Sequence, residues 1–217
     1  IDRGYGVAVD QAGNSYVTGH FQSPTFQIGD KTFKNHGDYD YFIAKYDPTG
    51  KLLWAESAGG KGYDYGHGIA VTPEGECYVA GTFAGAVTIG GSQSKHKQGS
   101  SMFVARYDTD GKMLWSQMAG NGRRQSGHQI AVDHQGNCYL CGLMTGIVEL
   151  AGQPMGTDTK QQDIFLAKLS PAGKFVWSAN SGGQANGLST GVAVDKSGNC
   201  YLTGMFKNEA KFGKSTL

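Results

Sequence analysis

The sequence has almost no excess charge of either sign. Nineteen Lys and Arg face 18 Asp and Glu, for a formal net charge of +1. That balance makes no electrostatic case for nucleic acid or an anionic membrane. Long apolar runs are also missing. None approaches the roughly 18 residues that suggest a transmembrane helix, so no membrane span is expected. No long segment has a helical period of apolar residues. Proline is scarce, at five residues. No nucleophile elbow, Walker loop, H-E-x-x-H motif or repeated carboxylate pair appears. The residues therefore name no catalytic group, no cofactor and no metal.

Glycine is abundant, at 35 of 217 residues against a usual ~7%. The glycines recur at fixed places between apolar, aromatic and β-branched runs, which is the pattern of many short strands joined by tight turns. The segment GVAVDQAGNSYVTG at Gly6 returns as GIAVTPEGECYVAG at Gly68, QIAVDHQGNCYLCG at Gln129 and GVAVDKSGNCYLTG at Gly191, at offsets of 62, 61 and 62. A second block follows each of the first three: YFIAKYDPTGKLLWAESAGG at Tyr41, MFVARYDTDGKMLWSQMAG at Met102 and IFLAKLSPAGKFVWSANSGG at Ile164. Two independent blocks sharing one period define a repeat.

Each unit reads as four strands, A to D. In the first they fall at Val7–Val9, Ser15–Phe21, Tyr41–Tyr46 and Leu52–Ser57. Turn glycines such as Gly13 and Gly50 sit where a positive φ is required. Between B and C lies a longer loop with an apolar stretch ending at Gly29, Gly90, Gly152 or Gly213. Runs such as FIAKY and CYVAG are apolar or small on both faces, so each sheet is covered on both sides. Stacking around a ring does this for every blade of a β-propeller. The predicted fold is all-β: a β-propeller of four-stranded antiparallel blades, a partial or open ring of about 3.5 blades. One domain over 1–217 is expected, with blades at 4–60, 66–120, 127–183 and an incomplete 190–217.

The two blocks resemble the SBBP-type bacterial β-propeller repeat, a seven-bladed family. Its pattern is G-[IV]-A-V-D-x-x-G-N-x-Y-[VL]-T-G, then D-x-F-[VI]-A-K-Y-D-x-x-G-x-x-x-W and a G-G. Thr72, Glu76, Leu169-Ser170 and Asn121 depart from it. The resemblance implies a bacterial extracellular or cell-surface protein, and no established catalytic residue. The sequence opens at Ile1 and stops inside the fourth unit. It is expected to be part of a larger propeller, or to self-associate through its open blade faces, or to stand as a short open stack.

Candidate contact residues cluster in the connections from D to A. His67 and His128 occupy equivalent positions just before strand A, with Tyr5 and Thr190 in the other repeats. Tyr63, Asp64 and Tyr65, then Arg123 and Arg124, then Asn186 lie nearby. Tyrosine and arginine are favoured at binding surfaces, and this set suits a protein or carbohydrate ligand at the channel mouth. Without a matching carboxylate, the two histidines do not compose a zinc or hydrolase site. The four cysteines, with Cys138-x-x-Cys141 among them, read as buried small side chains, because residues i and i+3 of a strand face opposite ways. Asp108-Thr109-Asp110-Gly111 reads as a β-turn and not a calcium loop. Lys95-His96-Lys97 reads as a solvated basic cluster. The expected function is a non-catalytic binding or scaffold module. The alternatives are a lyase or hydrolase using His67 and His128, and a self-assembling structural protein.

Overall fold

Two hydrogen-bonded sheets organise each unit of the computed structural model, which describes residues 1–94, 98–121, 123–158, 160–182, 186–212 and 215–216. The first unit runs β1 (Arg3–Val9), β2 (Ser15–Phe21), a small hairpin of β3 (Thr25–Ile28) and β4 (Lys31–Lys34), then β5 (Asp40–Tyr46) and β6 (Leu52–Ala58). The second runs β7 (Tyr65–Val71), β8 (Cys77–Ala84), the hairpin β9 (Thr88–Ile89) and β10 (Ser92–Gln93), β11 (Ser100–Tyr107) and β12 (Met113–Ala119). The third runs β13 (Gln125–Val132), β14 (Cys138–Thr145), β15 (Val148–Leu150), β16 (Gln153–Met155), β17 (Gln162–Leu169) and β18 (Phe175–Asn180). The fourth supplies β19 (Leu188–Val194) and β20 (Cys200–Met205), then β21 (Lys211–Phe212) and β22 (Ser215–Thr216). The main sheets have the antiparallel orders β1-β2-β5-β6, β7-β8-β11-β12, β13-β14-β17-β18 and β19-β20. The inner strands β1, β7, β13 and β19 lie side by side in sequence. The protein is thus all-β, a partial propeller of four-stranded antiparallel blades whose A strands line the inner rim.

Dry layers form between blades. Tyr16, Tyr41, Ile43 and Trp54 pack on Ile69, Cys77, Val79, Phe83, Phe103 and Tyr107 of the next sheet. Tyr78, Ala80, Met102 and Val104 pack on Ile130, Cys138, Leu140 and Phe165 of the third. Alternate residues of β8 therefore feed opposite layers, as the period-2 geometry of a strand requires. Lys45, Arg106 and Lys168 repeat over the rings of Tyr16, Tyr78 and Tyr139, at 5.1, 5.5 and 5.0 Å. Thr72 and Glu76, where the other repeats carry Asp and Asn, have a compensation. Glu76 accepts two bonds from Arg106, at 2.7 and 2.6 Å.

Two sequence expectations need correction. The A strand starts at Arg3, four residues before the expected Val7. A β-bulge at Tyr5 lets the ladder continue beyond it: Gly4 pairs with Gly19 and Gly6 with Thr18. The B–C stretch is not all loop but holds a hairpin. In the first blade Gly29 turns at φ 58, and Phe26 stacks on Phe21 at 4.8 Å. Gly213 and Lys95-His96-Lys97 lie outside the described residues. All four cysteines are free, and Cys77, Cys138 and Cys141 are buried.

Candidate tyrosine and histidine binding strip

The same bulge recurs in every unit. The ladder skips one residue between Gly4 and Gly6, Gly66 and Gly68, Gly127 and Gln129, and Ser189 and Gly191. The skipped residues are Tyr5, His67, His128 and Thr190. A bulge leaves its extra residue unpaired and re-aims its side chain. Opposite the bulge stands a glycine. A Cβ at Gly19, Gly81 or Gly142 would collide with the carbonyl oxygen of Arg3, Tyr65 or Ser126. The glycine and the bulge are therefore one device, and it presents one side chain per blade at the inner rim.

These side chains join a continuous row of rings. Tyr63 meets Tyr39 at 5.3 Å, and Tyr39 meets Tyr65 at 5.6 Å and His20 at 4.6 Å. His20 meets Tyr65 at 5.1 Å and Tyr5 at 5.3 Å. Tyr65 stacks on His67 at 5.2 Å with planes 19° apart. Tyr5 lies 5.4 Å from His67, which meets His128 edge-on at 5.9 Å. A parallel bridge between Tyr39 and Tyr63 fixes the far end, with Asp64 N–H donating to Tyr39 O at 3.0 Å. Tyr5 and Tyr63 are 43% and 49% exposed, so ring faces reach solvent at both ends of this tyrosine group.

Two cavities open along the row. One of about 330 Å³ is lined by Tyr5, His67, His128, Gln129, Leu188, Ser189 and Thr190. The other, about 120 Å³, is lined by Ile1, Arg3, Tyr5, His20, Tyr39 and Tyr65. Among the described residues no carboxylate lines either one. Burial lowers the His67 pKa to about 4, helped by the charges of His128 and His20. Burial also lowers His128, partly opposed by its contact with Ser189 O. Its Nδ1 lies 3.1 Å from that carbonyl and donates to it when protonated there. Burial lowers His20, and Arg3 adds to the shift. The imidazoles are therefore neutral at pH 7. Burial raises the Tyr65 phenol to about 12, so it remains a hydrogen-bond donor.

Of the residues singled out from sequence, Tyr5, Tyr63, Tyr65, His67 and His128 come together. Asp64 does not join them. It is buried, and its carboxylate accepts N–H bonds from Gly60 at 2.6 Å and Ala84 at 3.0 Å. Burial raises its pKa to about 7 against those bonds, and the charges of Asp40 and Asp38 push the same way. Arg123 pairs with Asp158 at 3.2 Å. Arg124 is exposed, and Asn186 is exposed at φ 37. Sequence reasoning missed His20 and Tyr39. Their signal is departure from the repeat: His20 stands where other units have Thr82, Leu143 and Met205, and Tyr39 where they have Ser100 and Gln162. Among the described residues no group of three or more His, Cys, Asp or Glu is placed to hold a metal ion. No helix among them is long and apolar enough to cross a membrane.

Comparison with known proteins agrees with this architecture. The family model described as SBBP, beta-propeller repeat, matches residues 1–20. The chain is 24% identical over 152 residues to the uncharacterized WD repeat-containing protein L264 of Acanthamoeba polyphaga mimivirus, covering 63% of this chain and 11% of that protein. It is 30% identical over 142 residues to the regulatory protein FlaEY of Caulobacter vibrioides, covering 63% of this chain and 15% of that protein. The matches thus span only a small fraction of either relative's length. Residues 1–20 match the SBBP beta-propeller repeat, and the hairpins opening at Gly68, Gln129 and Gly191 carry the same pattern along the partial propeller.

Proposed function

We propose that the chain is a non-catalytic binding module whose protein or carbohydrate ligand lies along the tyrosine and histidine strip of the inner rim. The observation that carries this reading is the row of rings from Tyr63 to His128. It crosses two blade boundaries and presents hydrogen-bonding tips on a rigid sheet scaffold. Tyrosine supplies a large contact area at low conformational cost. A lyase or hydrolase reading would need an acid beside His67 and His128, and the described residues lining their cavity include none. The WD-repeat name of one relative fits an interaction module. An extracellular or cell-surface setting follows from the family resemblance, and burial of Cys77, Cys138 and Cys141 makes free thiols compatible with it.

The test is a screen of glycan and peptide arrays with the whole chain, repeated with Tyr65→Ala and with the double variant His67→Ala and His128→Ala. Loss of the captured ligand by about tenfold or more in both variants is expected, since an aromatic anchor contributes at least ~1.4 kcal/mol. Undiminished capture by both variants would place the ligand elsewhere and overturn the proposal.

A further inference from the structure

One residue lining the smaller cavity, His20, carries a buried ring nitrogen that no described residue bonds. His20 is 3% exposed, and its Nδ1 has no hydrogen-bond partner among the described residues. Such an atom is costly when left unpaired, and its residue lines a hollow of about 120 Å³. Around it stand the rings of Tyr5, Tyr39 and Tyr65, with Arg3 at the rim. Arg3 makes no ion pair among the described residues. The neighbouring acid, Asp2, is already engaged, accepting from Gln22 N at 2.9 Å and from Ser23 N and Oγ at 3.1 Å, with its other oxygen 2.8 Å from Ser23 Oγ. The hollow is therefore lined by a free cation, three aromatic walls and the residue that carries the unmatched imidazole nitrogen.

We infer that this cavity is a subsite for the acidic unit of a saccharide, a uronate whose carboxylate meets Arg3 and whose ring packs against the tyrosine walls beside His20. The inference rests on the strip being the binding surface and names the ligand class for it. Tyr5 walls both this cavity and the larger one beside His67 and His128. Two adjoining subsites separated by one ring suit consecutive units of an oligosaccharide. The C–H face of one unit packs on tyrosine while its hydroxyls reach imidazole and phenol. A peptide is the weaker match. Its anchor side chain would need a deep, desolvated apolar socket, and among the described residues Ile1 is the only aliphatic one lining the small cavity. Arg3 with a carboxylate makes a charge-assisted hydrogen bond, about twice as strong as a neutral one.

Calorimetric titration of the whole chain separates the possibilities. The probes are oligogalacturonate, its carboxyl-reduced counterpart and poly-glutamate, each with wild type, Arg3→Gln and Tyr65→Ala. Arg3 is exposed, so its substitution leaves the core untouched. Oligogalacturonate is expected to bind. Carboxyl reduction and Arg3→Gln should each weaken it by about tenfold or more, and Tyr65→Ala should remove binding of both saccharides. Equal affinity for acidic and reduced saccharide, or indifference to Arg3→Gln, overturns the subsite while a Tyr65→Ala effect keeps the strip. Binding of poly-glutamate in place of the saccharides also overturns the subsite and keeps the strip. No saccharide bound by wild type, or saccharide binding unmoved by Tyr65→Ala, overturns the inference. Whether the strip falls with it is read independently on the arrays.

Discussion

The second and fourth blades carry nearly the same B strand, yet its tyrosine lives in two environments. Tyr78 is fully buried, and its hydroxyl donates to Gly136 O of the third blade at 3.0 Å. Tyr201, its equivalent, is 57% exposed, and its hydroxyl bonds within its own hairpin, to Asp195 Oδ2 at 3.1 Å. Trp54 is 6% exposed and Trp177 is 37% exposed at matching positions. The sequence of a repeat thus sets which side chains are ready to be buried, and the next blade along the arc buries them. Stability in such a stack lies in the interfaces between units as much as in the units.

The largest expected effect follows from that contrast. Tyr78→Ala empties a site in the dry layer between blades two and three. It should cost about 3–5 kcal/mol, the range for large aromatic truncations in cores. Tyr201→Ala should cost under about 1 kcal/mol in this chain, as expected for an exposed ring. Midpoints of urea unfolding read both. Any longer chain that adds strands beyond Leu217 and covers Tyr201 should raise the second cost toward the first. Equal costs in this chain would break the comparison and show that burial by the neighbouring blade is not what stabilises the tyrosine.

A second pair sharpens it at the blade boundaries. Asp64 and Gln125 hold equivalent places, two residues before Gly66 and Gly127 on the B-strand ladder. Each ties down the end of its B strand. Asp64 accepts from Ala84 N at 3.0 Å, whereas Gln125 Nε2 donates to Thr145 O at 2.9 Å. The amide does its work without titrating. The carboxyl is raised from 3.8 to about 7 by burial, against its backbone bonds, and by the charge of Asp40 and Asp38. Between those pH values the folded state holds a proton that the unfolded state has lost. The unfolded chain binds fewer protons, so stability falls as pH rises from about 4 to about 7. Asp64→Asn should remove that slope, improving relative to wild type by on the order of 2 kcal/mol between pH 4.5 and pH 8. Urea midpoints measured across that range check it. A constant difference between the two proteins at every pH would mean that Asp64 ionises alike in both states.

How much of this could be read from residues alone depended on whether a feature repeats. The period, the four-strand plan and the two-faced burial of strands such as β5 and β8 recur in each copy, so comparison of copies revealed them. The equivalence of Tyr5, His67, His128 and Thr190 was legible for the same reason, although the bulge that aims them was not. A bulge is a one-residue slip, and its glycine partner also reads as an ordinary strand glycine. Asp64 lies between Tyr63 and Tyr65 in sequence and so looked like part of one patch. Alternation along the chain turns it away from the rings and into the boundary between blades. His20 and Tyr39 were overlooked because they are exceptions within the repeat. Part of the proposed binding strip lies where the copies differ, and comparison of copies for likeness passes over such places.

The smallest expected effect concerns the tryptophans. Trp54 Nε1 donates to Thr109 O of the next blade at 3.0 Å, and its ring stacks near Tyr107 at 6.2 Å. Phenylalanine would keep most of the buried ring and lose that bond. Lys45 Nζ also donates to Thr109 O, at 3.2 Å, so the carbonyl is not left empty. The cost of Trp54→Phe should therefore stay near 1 kcal/mol, the net worth of one hydrogen bond plus slight loss of packing. At Trp177 no turn of a following blade is present among the described residues to accept the indole N–H, and Trp177→Phe should fall within about 0.5 kcal/mol of wild type. A Trp54→Phe cost well above the range of a single bond would assign the indole a packing role against Gly111, whose missing Cβ leaves room for that ring. The fit could then be told from the bond by Gly111→Ala read against Gly50→Ala: both turns hold a positive φ, 83 and 85, and only at Gly111 would the new Cβ meet a tryptophan ring.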